Sequence, residues 1–461
     1  MVTAGDVCVC ENEGMRKFPT VTVVGAGLAG SEAALQLAAR GVPVRLVEMR
    51  PEHQTAVHKT GGAAELVCSN SFKSDDADTA AGALKRELSA MGSFLLGAAR
   101  KTSVPAGGAL AVDRTLFSDA VTSLLEESPF VHVERRELAS LPEAPAIVAT
   151  GPLCTDALAD ALAAELGADS LAFYDAAAPI VEAGSIDRTR VFEQSRYDKG
   201  EPSDYLNAPF TRDAYERFVA ELVAAERTIV HDFERRELFA ACQPVEEVAR
   251  TGTDALRFGA LKPVGLTDPA TGRHPWAAVQ LRAENRERSA YNLVGFQTNL
   301  RFGEQERVFR MIPGLEHAEF SRFGVMHRNT FVDSPHVLGS AFDIPGCPGV
   351  HLAGQLTGTE GYMEAVASGL FSALAVYAEL AGLPEPRLPR ETLFGALVAY
   401  ATDPETRDYQ PMHVNYGIVP ALGEKVRDKR ARKAAYAARS RAEIAAFVRE
   451  RADLFEETLS A

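Results

Sequence analysis

Three glycines and one acid in the first fifty residues have the types and spacing needed to bind a dinucleotide. Gly25, Gly27 and Gly30 follow a β-branched run in the order G-x-G-x-x-G, and Glu48 comes about 20 residues later. In such a turn the first glycine allows a tight bend, the second lets the backbone approach a pyrophosphate, and the third lets the helix lie close to the strand. The acid accepts hydrogen bonds from a ribose diol, so FAD or NAD is expected rather than NADP.

The residues around these glycines have the patterns of a strand, a helix and a second strand. Val21 to Val24 form the first strand, an apolar face follows Gly30, and Glu48 ends the second strand. This order puts the N-terminus of the helix at the phosphates, where backbone N–H groups bind anions. The predicted cofactor-binding residues here are Gly25, Ala26, Gly27, Leu28, Ala29, Gly30 and Glu48. The alternative is a glycine-rich turn that binds no ligand.

Two later apolar runs end in glycine and predict strands of the same sheet. The first covers residues 146–151, and the second covers 349–355 and leads into a helical pattern over 362–380. Backbone N–H groups of such turns can face the isoalloxazine or the pyrophosphate of a flavin. The cofactor-binding residues expected from these two runs are Ala149, Thr150, Gly151, Gly354, Gln355, Thr357 and Gly358. Ordinary glycine turns are the alternative.

The order of these elements predicts an α/β fold. It would be a Rossmann-like FAD-binding domain of the two-dinucleotide-binding-domain flavoprotein type, with an inserted α+β domain. Residues 15–185 and 339–461 would form the discontinuous FAD-binding domain, which ends in a helical basic segment. Residues 186–338 would form the insertion domain, with strands at 277–281 and 291–296. Residues 1–14 lack a periodic pattern and predict a disordered extension or a misassigned start.

The composition is that of an ordinary globular protein, with 46% hydrophobic residues in a chain of 461. The six cysteines form no C-x-x-C pair and no ligand cluster, so reduced thiols and no bound metal are expected. No basic leader precedes the first strand, and no run approaches the roughly 18 apolar residues of a membrane span. A cytoplasmic protein that does not bind membranes is therefore expected.

The net charge of −15 argues against binding of nucleic acid by the whole surface. A local basic patch is present, however, between Lys425 and Arg441. It contains eight cationic residues and a single acid, Asp428. This segment is the leading candidate for contacts with phosphates, and the alternative is a solvated helix face.

Seven longer motifs, taken in order, resemble one family. They are GAGLAG at 25–30, ELVCSNSFKS at 65–74, LFAACQPVEEVARTG at 238–252, LRFGALKPVGL at 256–266, YNLVGFQTNLRFGEQERVFRMIPGLE at 291–316, HRNTF at 327–331 and AGQLTGTEGYMEA at 353–365. The chain is similar in these motifs to the folate- and FAD-dependent RNA (uracil-5-)-methyltransferases of the TrmFO type. These are related to the larger tRNA-modifying flavoprotein MnmG. The resemblance covers nearly everything from Met15 onward.

The resemblance implies transfer of a one-carbon unit from 5,10-methylenetetrahydrofolate to C5 of a uridine in RNA, most simply the T-loop uridine of tRNA. Reduced FAD would supply the electrons, and NADPH or NADH would be the transient reductant. The resemblance also implies two functional cysteines, matching Cys68 and Cys242. Uracil C5 becomes nucleophilic when a thiolate adds at C6, and a second group must then remove the C5 proton. Cys242 is assigned as the nucleophile and Cys68 as the proton acceptor or flavin-side partner, or the reverse.

Five further polar residues are candidates for contacts with substrates. Folate carries a planar pterin and a glutamate tail, which suit stacking and cationic partners respectively. Lys262 and Arg282 are expected at the folate tail or at an RNA phosphate. His327, Arg328 and Asn329 are expected at the folate or the flavin. Structural capping and ion pairing are the alternative roles.

Four alternative functions stay open from the sequence. The same chemistry on a uridine of 23S rRNA is one, and an MnmG-like enzyme for the wobble uridine is another, although 461 residues is short for it. A small-molecule flavin oxidoreductase is the third, but the chain has no redox C-x-x-C and no second nucleotide fingerprint. The fourth is an RNA-binding flavoprotein without methylation chemistry. No obligate protein partner is evident.

Overall fold

A computed structural model describes residues 18–55, 57–167, 171–176, 178–198, 201, 204–228, 243–324, 326–407 and 409–455. Of residues 171–176 and 326–329 it describes the backbone only. Cys242 and the extension predicted at 1–14 lie outside these ranges.

The strands and helices are numbered here in chain order. The strands are β1 (Val21–Val24), β2 (Val44–Glu48), β3 (Ser71–Ser74), β4 (Ser103–Val104), β5 (Ala109–Val112), β6 (Val131–Arg135), β7 (Ala146–Val148), β8 (Leu171–Ala176), β9 (Ile180–Glu182), β10 (Phe192–Glu193), β11 (Tyr205–Phe210), β12 (Ala277–Ala283), β13 (Ala290–Leu293), β14 (Phe320–Arg322), β15 (Met326–Phe331) and β16 (Val350–Leu352). The helices are α1 (Leu28–Ala39), α2 (Ala80–Ala90), α3 (Phe94–Lys101), α4 (Arg114–Glu126), α5 (Asp156–Leu166), α6 (Arg212–Ala224), α7 (Val245–Arg250), α8 (Phe302–Phe309), α9 (Ser334–Val337), α10 (Tyr362–Ala381), α11 (Leu393–Thr402), α12 (Lys429–Glu450) and α13 (Ala452–Phe455).

A parallel sheet in the order β16-β7-β1-β2-β6 carries the glycine turn. All four neighbouring pairs in it are parallel. Strands of such a sheet are covered on both faces, which explains why every residue of β1 (VTVV) and β7 (AIV) is buried. The predicted α/β fold is confirmed, and β16 joins this sheet beside β7 although the two strands are far apart in the chain.

A second sheet, in the order β10-β11-β12-β13-β9-β14, has its own hydrophobic core. The strands predicted at 277–281 and 291–296 are β12 and β13, which pair antiparallel. Helices α6 and α8 cover this sheet with buried aromatic residues such as Phe218 and Phe309. The core extends from Ala178 to Ala318. The exact domain boundaries given above stay a prediction.

Helix α10 packs against α1 at the centre of the first core. A Cβ at Gly369 would overlap the backbone of Ala29, so glycine allows the two helices to approach closely. By length and composition α10 is apolar enough to cross a membrane, and the expectation that no run approaches that limit was wrong. However, 83% of the apolar stretch of α10 is buried inside the molecule, as in a core helix of a globular domain.

Glu87 on α2 joins α2 to α11 and α12. Its carboxylate oxygens accept the N–H groups of Leu393 and Phe394, both at 2.8 Å, and the hydroxyl of Ser440. Leu393 and Phe394 begin α11, whose first N–H groups have no acceptor within the helix. Burial raises the pKa of Glu87 to about 7, although these hydrogen bonds oppose the shift. The folded protein therefore binds a proton at Glu87 more tightly than the unfolded chain does.

The raised pKa of Glu87 predicts how stability depends on pH. Its protonated form stabilises the fold below the unfolded pKa of 4.5, and this contribution is lost as the pH rises to about 7. The unfolding free energy should fall less steeply between pH 5 and pH 8 in Glu87→Gln than in the wild type. The difference in slope should correspond to the binding of up to about one proton. Urea midpoints of the wild type and the variant would measure this, with the exposed Glu450→Gln as control. An unchanged slope would contradict the assignment.

Candidate active site

The glycine turn after β1 opens onto a cleft. Gly25 has a φ of +95°, and a Cβ there would lie 2.7 Å from the carbonyl oxygen of Ala149. A Cβ at Gly30 would overlap the carbonyl oxygen of Gly25, whereas one at Gly27 would meet no atom within 4 Å. Packing therefore requires glycine at the first and third positions, and the second faces open space. Close approach of a pyrophosphate needs this distribution.

Glu48 ends β2 and lines the same cleft. Its Oε2 accepts the N–H of Ala26 at 2.8 Å, and its Oε1 accepts the backbone N–H and Nε–H of Arg50, each at 2.9 Å. Burial raises the pKa of this carboxyl, but the hydrogen bonds and charge of Arg50 outweigh burial and hold the pKa of Glu48 below its usual value. The ionised carboxylate thus fixes the turn itself, and a ribose diol would share it with Arg50.

Two threonines that line the cleft have buried hydroxyl groups without a hydrogen-bond partner in the described part of the chain. The Oγ1 atoms of Thr150 and Thr155 are buried, and neither has a hydrogen-bond partner among the described residues. Both residues line the cleft. Because buried polar atoms are normally paired, two orphans in one cleft indicate a polar ligand. Gly151 lies between them with a φ of +67° and open space at its Cβ position.

The turn after β16 is held by packing. A Cβ at Gly354 would lie 3.0 Å from that of Ala29 in the glycine turn, so the two turns touch. The hydroxyl of Thr357 donates to the carbonyl oxygen of Gly354 at 2.8 Å, and a Cβ at Gly358 would overlap the side chain of Tyr409. These three predicted residues shape the turn.

A second cavity, of about 280 Å³, contains Cys68. We call it the thiol pocket; it is lined by residues 67–69, 71–73 and 360–364, with Pro152, Gln297 and Gln355. Gln355 donates from Nε2 to Glu360 at 2.7 Å. The described cysteines Cys68, Cys154 and Cys347 are all thiols. A planar substrate in this pocket would therefore lie next to the Cys68 thiol, whether the thiol acts as nucleophile or as base.

Tyr362, the first residue of α10, holds the backbone at Cys68. Its hydroxyl oxygen accepts the N–H of Cys68 at 2.9 Å and that of Ser69 at 3.0 Å. Burial raises the pKa of Tyr362, so the phenol stays protonated. Its own O–H thus remains available as a donor in the thiol pocket.

Arginines from three elements bind the segment that carries Cys68. Arg114 on α4 donates to the carbonyl oxygens of Leu66 and, at 3.3 Å, Cys68, and Arg322 on β14 donates to that of Val67. Arg282 on β12 is buried and donates to Ser69 and Asn70 at 3.0 and 2.9 Å. The guanidinium that was expected at the folate tail or a phosphate thus binds the thiol segment.

An ion pair also lines the thiol pocket. Lys73 Nζ lies 3.2 Å from Oε1 of Glu364, whose side chain is buried. The same oxygen accepts the N–H of Val414 at 3.3 Å. Sequence reasoning missed Lys73, Glu364 and Tyr362, although all three lie in quoted motifs, because composition and spacing do not show which side chains of a motif face one cavity.

The other predicted substrate residues lie elsewhere or are described only in part. Lys262 Nζ lies 5.7 Å from the centre of the Tyr197 ring. His327, Arg328 and Asn329 lie on β15, opposite residues 173–175 of β8, and their side chains are outside the described part. Cys242 is likewise outside it. Further along the chain, the N–H of Val245 donates at 2.7 Å to the carbonyl oxygen of Gln297, a residue of the thiol pocket.

Comparison with known proteins is consistent across sequence and structure. The family model described as "Glucose inhibited division protein A" matches residues 20–384. A protein named methylenetetrahydrofolate--tRNA-(uracil-5-)-methyltransferase TrmFO, from Desulfitobacterium hafniense, is 50% identical over 428 residues, which are 93% of this chain and 98% of that protein. The protein of the same name from Geobacter sulfurreducens is 52% identical over 425 residues, 92% of this chain and 98% of its own.

Among solved structures, Aquifex aeolicus GidA in its form I crystal superposes with a TM-score of 0.67. It is 15% identical and covers 95% of this chain and 78% of its own, so this likeness shows the fold. The relatives at about half identity span nearly all of both chains. The chain therefore belongs to the GidA family and, within it, to the TrmFO group of methylenetetrahydrofolate--tRNA-(uracil-5-)-methyltransferases.

Proposed function

We propose that this chain catalyses folate-dependent methylation of uracil C5 in tRNA, with FAD as its resident cofactor. The one-carbon unit comes from 5,10-methylenetetrahydrofolate, and the flavin, when bound and reduced by NADPH or NADH, supplies the electrons that convert methylene to methyl. The T-loop uridine is the target that we propose. Membership in the TrmFO group, whose named relatives carry this activity in their titles, supports the reaction.

One structural observation carries the proposal: the dinucleotide cleft and the thiol pocket meet at one loop. Thr150 and Leu153 line the cleft, and Pro152 between them lines the thiol pocket. A cofactor in the cleft and a thiol at Cys68 are therefore neighbours. The proposed reaction needs this arrangement, because Cys68 would accept the C5 proton at the carbon to which the one-carbon unit is transferred, next to the flavin that supplies the electrons.

The residues of the cleft fit a dinucleotide. The glycine turn would hold the pyrophosphate at the N-terminus of α1, and the ionised carboxylate of Glu48 disfavours a 2′-phosphate. The orphaned hydroxyls of Thr150 and Thr155 would gain partners from a polar ligand. These features support FAD over NADP.

Val245, which follows Cys242 closely in the chain, is anchored beside the thiol pocket. Cys242 precedes Val245 by three residues, and three residues of extended chain span at most about 11 Å. Val245 is anchored to Gln297 of the pocket. This covalent limit supports the pairing of Cys242 with Cys68 across one substrate, with Cys242 as the C6 nucleophile and Cys68 as the proton acceptor.

Gly27→Ala tests the cofactor site. The added methyl would point into open space in the cleft, so it should weaken FAD binding while changing the stability of the apoprotein by less than about 1 kcal/mol. Gly30→Ala is the matched control, since its methyl would overlap Gly25 and should destabilise the apoprotein as well. FAD titration and urea unfolding of both variants measure this. If Gly27→Ala binds FAD with the affinity of the wild type, the assignment of the cleft as the cofactor site is wrong.

Removal of each thiol tests the chemistry. Cys68→Ala and Cys242→Ala should each lower methyl transfer by at least about 100-fold while FAD stays bound. Cys347→Ala is the matched control, because Cys347 lines neither cavity. The assay uses unmodified tRNA and, separately, 23S rRNA, with methylenetetrahydrofolate and NADPH, and maps the product by mass spectrometry. Product in rRNA alone would redirect the substrate, and no product in either would contradict the function.

The basic segment at the start of α12 is the first RNA-binding surface that we propose. Lys425, Arg427, Lys429, Arg430, Arg432 and Lys433 are exposed, and none forms a salt bridge within the described ranges. Arg439 is different, because it donates to the carbonyl oxygens of Pro420 and Ala421. Tyr436 of α12 stacks on Tyr416 at 5.1 Å, and the nearby Val414 is bound to Glu364 of the thiol pocket. Helix α12 is thus linked to the pocket indirectly, through Tyr416 and Val414.

Charge reversal tests this surface. Arg430→Glu with Lys433→Glu should weaken binding of tRNA and lower the steepness of its salt dependence, because fewer counterions are released. The control is Arg439→Glu, whose side chain already binds the protein. Binding curves at three salt concentrations measure both effects. Unchanged affinity in the double variant would show that phosphates bind elsewhere.

A further inference from the structure

Two aromatic side chains near the antiparallel sheet are unusually exposed. Phe258 is 84% exposed and Tyr197 is 55% exposed, and Val264 nearby is 52% exposed. Single exposed apolar residues need no explanation, but a group on adjoining loops marks an interaction site. We call Tyr197, Phe258, Lys262 and Val264 the aromatic patch.

Backbone contacts fix the aromatic patch in place. Tyr197 has a φ of +60°, a left-handed conformation that is uncommon for a residue with a side chain. Its N–H donates to the carbonyl oxygen of Gly265 at 3.2 Å, and a Cβ at Gly265 would lie 3.1 Å from the tyrosine ring. Lys262 N–H closes a turn with the carbonyl oxygen of Gly259. The Tyr197 ring is therefore held by a defined backbone conformation, as at many ligand sites.

The aromatic patch carries positive charge that forms no salt bridge with any acid among the described residues. Lys262 Nζ lies 5.7 Å from the centre of the Tyr197 ring, and Arg196 donates to the carbonyl oxygen of Lys262 at 2.6 Å. Neither cation forms a salt bridge in the part of the chain that is described. The Nε of Arg196 is also buried without a hydrogen-bond partner there. The chain has a net charge of −15, so two cations beside an aromatic ring, without a salt bridge within the described ranges, stand out locally. Their charge favours binding of an anion next to the aromatic faces.

The loop of the patch packs against the segment that leads from β13 to the thiol pocket. A Cβ at Gly295 would lie 2.6 Å from that of Ala260, which lies between Phe258 and Lys262. Gln297, two residues after Gly295, lines the thiol pocket. The patch and the pocket are therefore linked through this short segment.

We propose that the aromatic patch binds unstacked nucleotides of the RNA, next to the uridine that enters the thiol pocket. Unpaired bases would stack on Phe258 and Tyr197, and Lys262 would contact a phosphate. Proteins that bind single-stranded nucleic acid combine aromatic platforms with cations in this way. Extrusion of a uridine unstacks its neighbours, and the patch would replace part of the stacking that they lose. This inference rests on the proposed function, because it takes RNA as the substrate.

The test compares Phe258→Ala, Phe258→Leu and Phe258→Trp in the full-length, FAD-loaded protein. The probe is an unmodified tRNA transcript, with a short oligouridylate as a single-stranded reference. Loss of stacking in the Ala and Leu variants should weaken binding by about 5-fold or more, and Trp should retain it. The KM for tRNA should rise in the same order while the KM for methylenetetrahydrofolate stays the same. Lys262→Ala should reduce the slope of log affinity against log salt by about 1.

The outcomes separate the surface from the function. If the wild type methylates tRNA and all three Phe258 variants bind and react like it, the patch is wrong and the proposed function stands. If the wild type neither binds nor methylates RNA, both fail. If Leu retains binding as well as Trp, apolar contact rather than stacking is responsible, which overturns the inference. Light scattering measures the molecular mass of the wild type and of Phe258→Ala. A smaller assembly in the variant would show that the patch forms a contact between copies of the chain, which would also overturn the inference.

Discussion

The backbone segment from Leu66 to Asn70 is the constraint on which the thiol pocket depends. It has no regular secondary structure of its own, so its position is set by groups from elsewhere: Tyr362 on α10 and the arginines on α4, β12 and β14. The amide of Asn70 also donates to the carbonyl oxygens of Val112 and Ala283, both at 3.0 Å. A single loop thus connects the two hydrophobic cores. Its conformation can be correct only when both cores are folded and in contact.

The same connection explains why the two cavities adjoin. The glycine turn is fixed by the close approach of Gly30 to Gly25, where a Cβ would not fit, and by the hydrogen bond from Ala26 to Glu48. All of these residues belong to the part of the chain that forms the first core. The thiol pocket needs in addition Gln297 and the arginines of the second sheet. The cofactor cleft is therefore a property of one core, whereas the thiol pocket is a property of the contact between two. A substitution in the second sheet can for this reason affect the chemistry without touching the cleft.

Positive charge on this acidic chain has two distinct uses. Arg114, Arg282 and Arg322 are partly or fully buried and bind carbonyl or side-chain oxygens of the thiol segment, so they position the backbone. The cations at the start of α12 and in the aromatic patch are exposed or bound to rings and have no acidic partner within the described ranges. Burial and pairing, rather than residue type, separate the structural cations from those available to a polyanion.

The sequence by itself determined the parallel sheet, the glycine turn and the relation to one family. These are local patterns: apolar runs, three glycines and an acid at fixed spacing, and motifs that can be compared letter by letter. Only the tertiary structure decided that Arg282 binds Ser69 and Asn70, and that Lys73, Tyr362 and Glu364 meet at Cys68. It also decided that α10, apolar over most of its length, is a buried core helix. Long-range contacts depend on how whole elements pack, and no spacing along the chain encodes which side chains of distant segments will face one another.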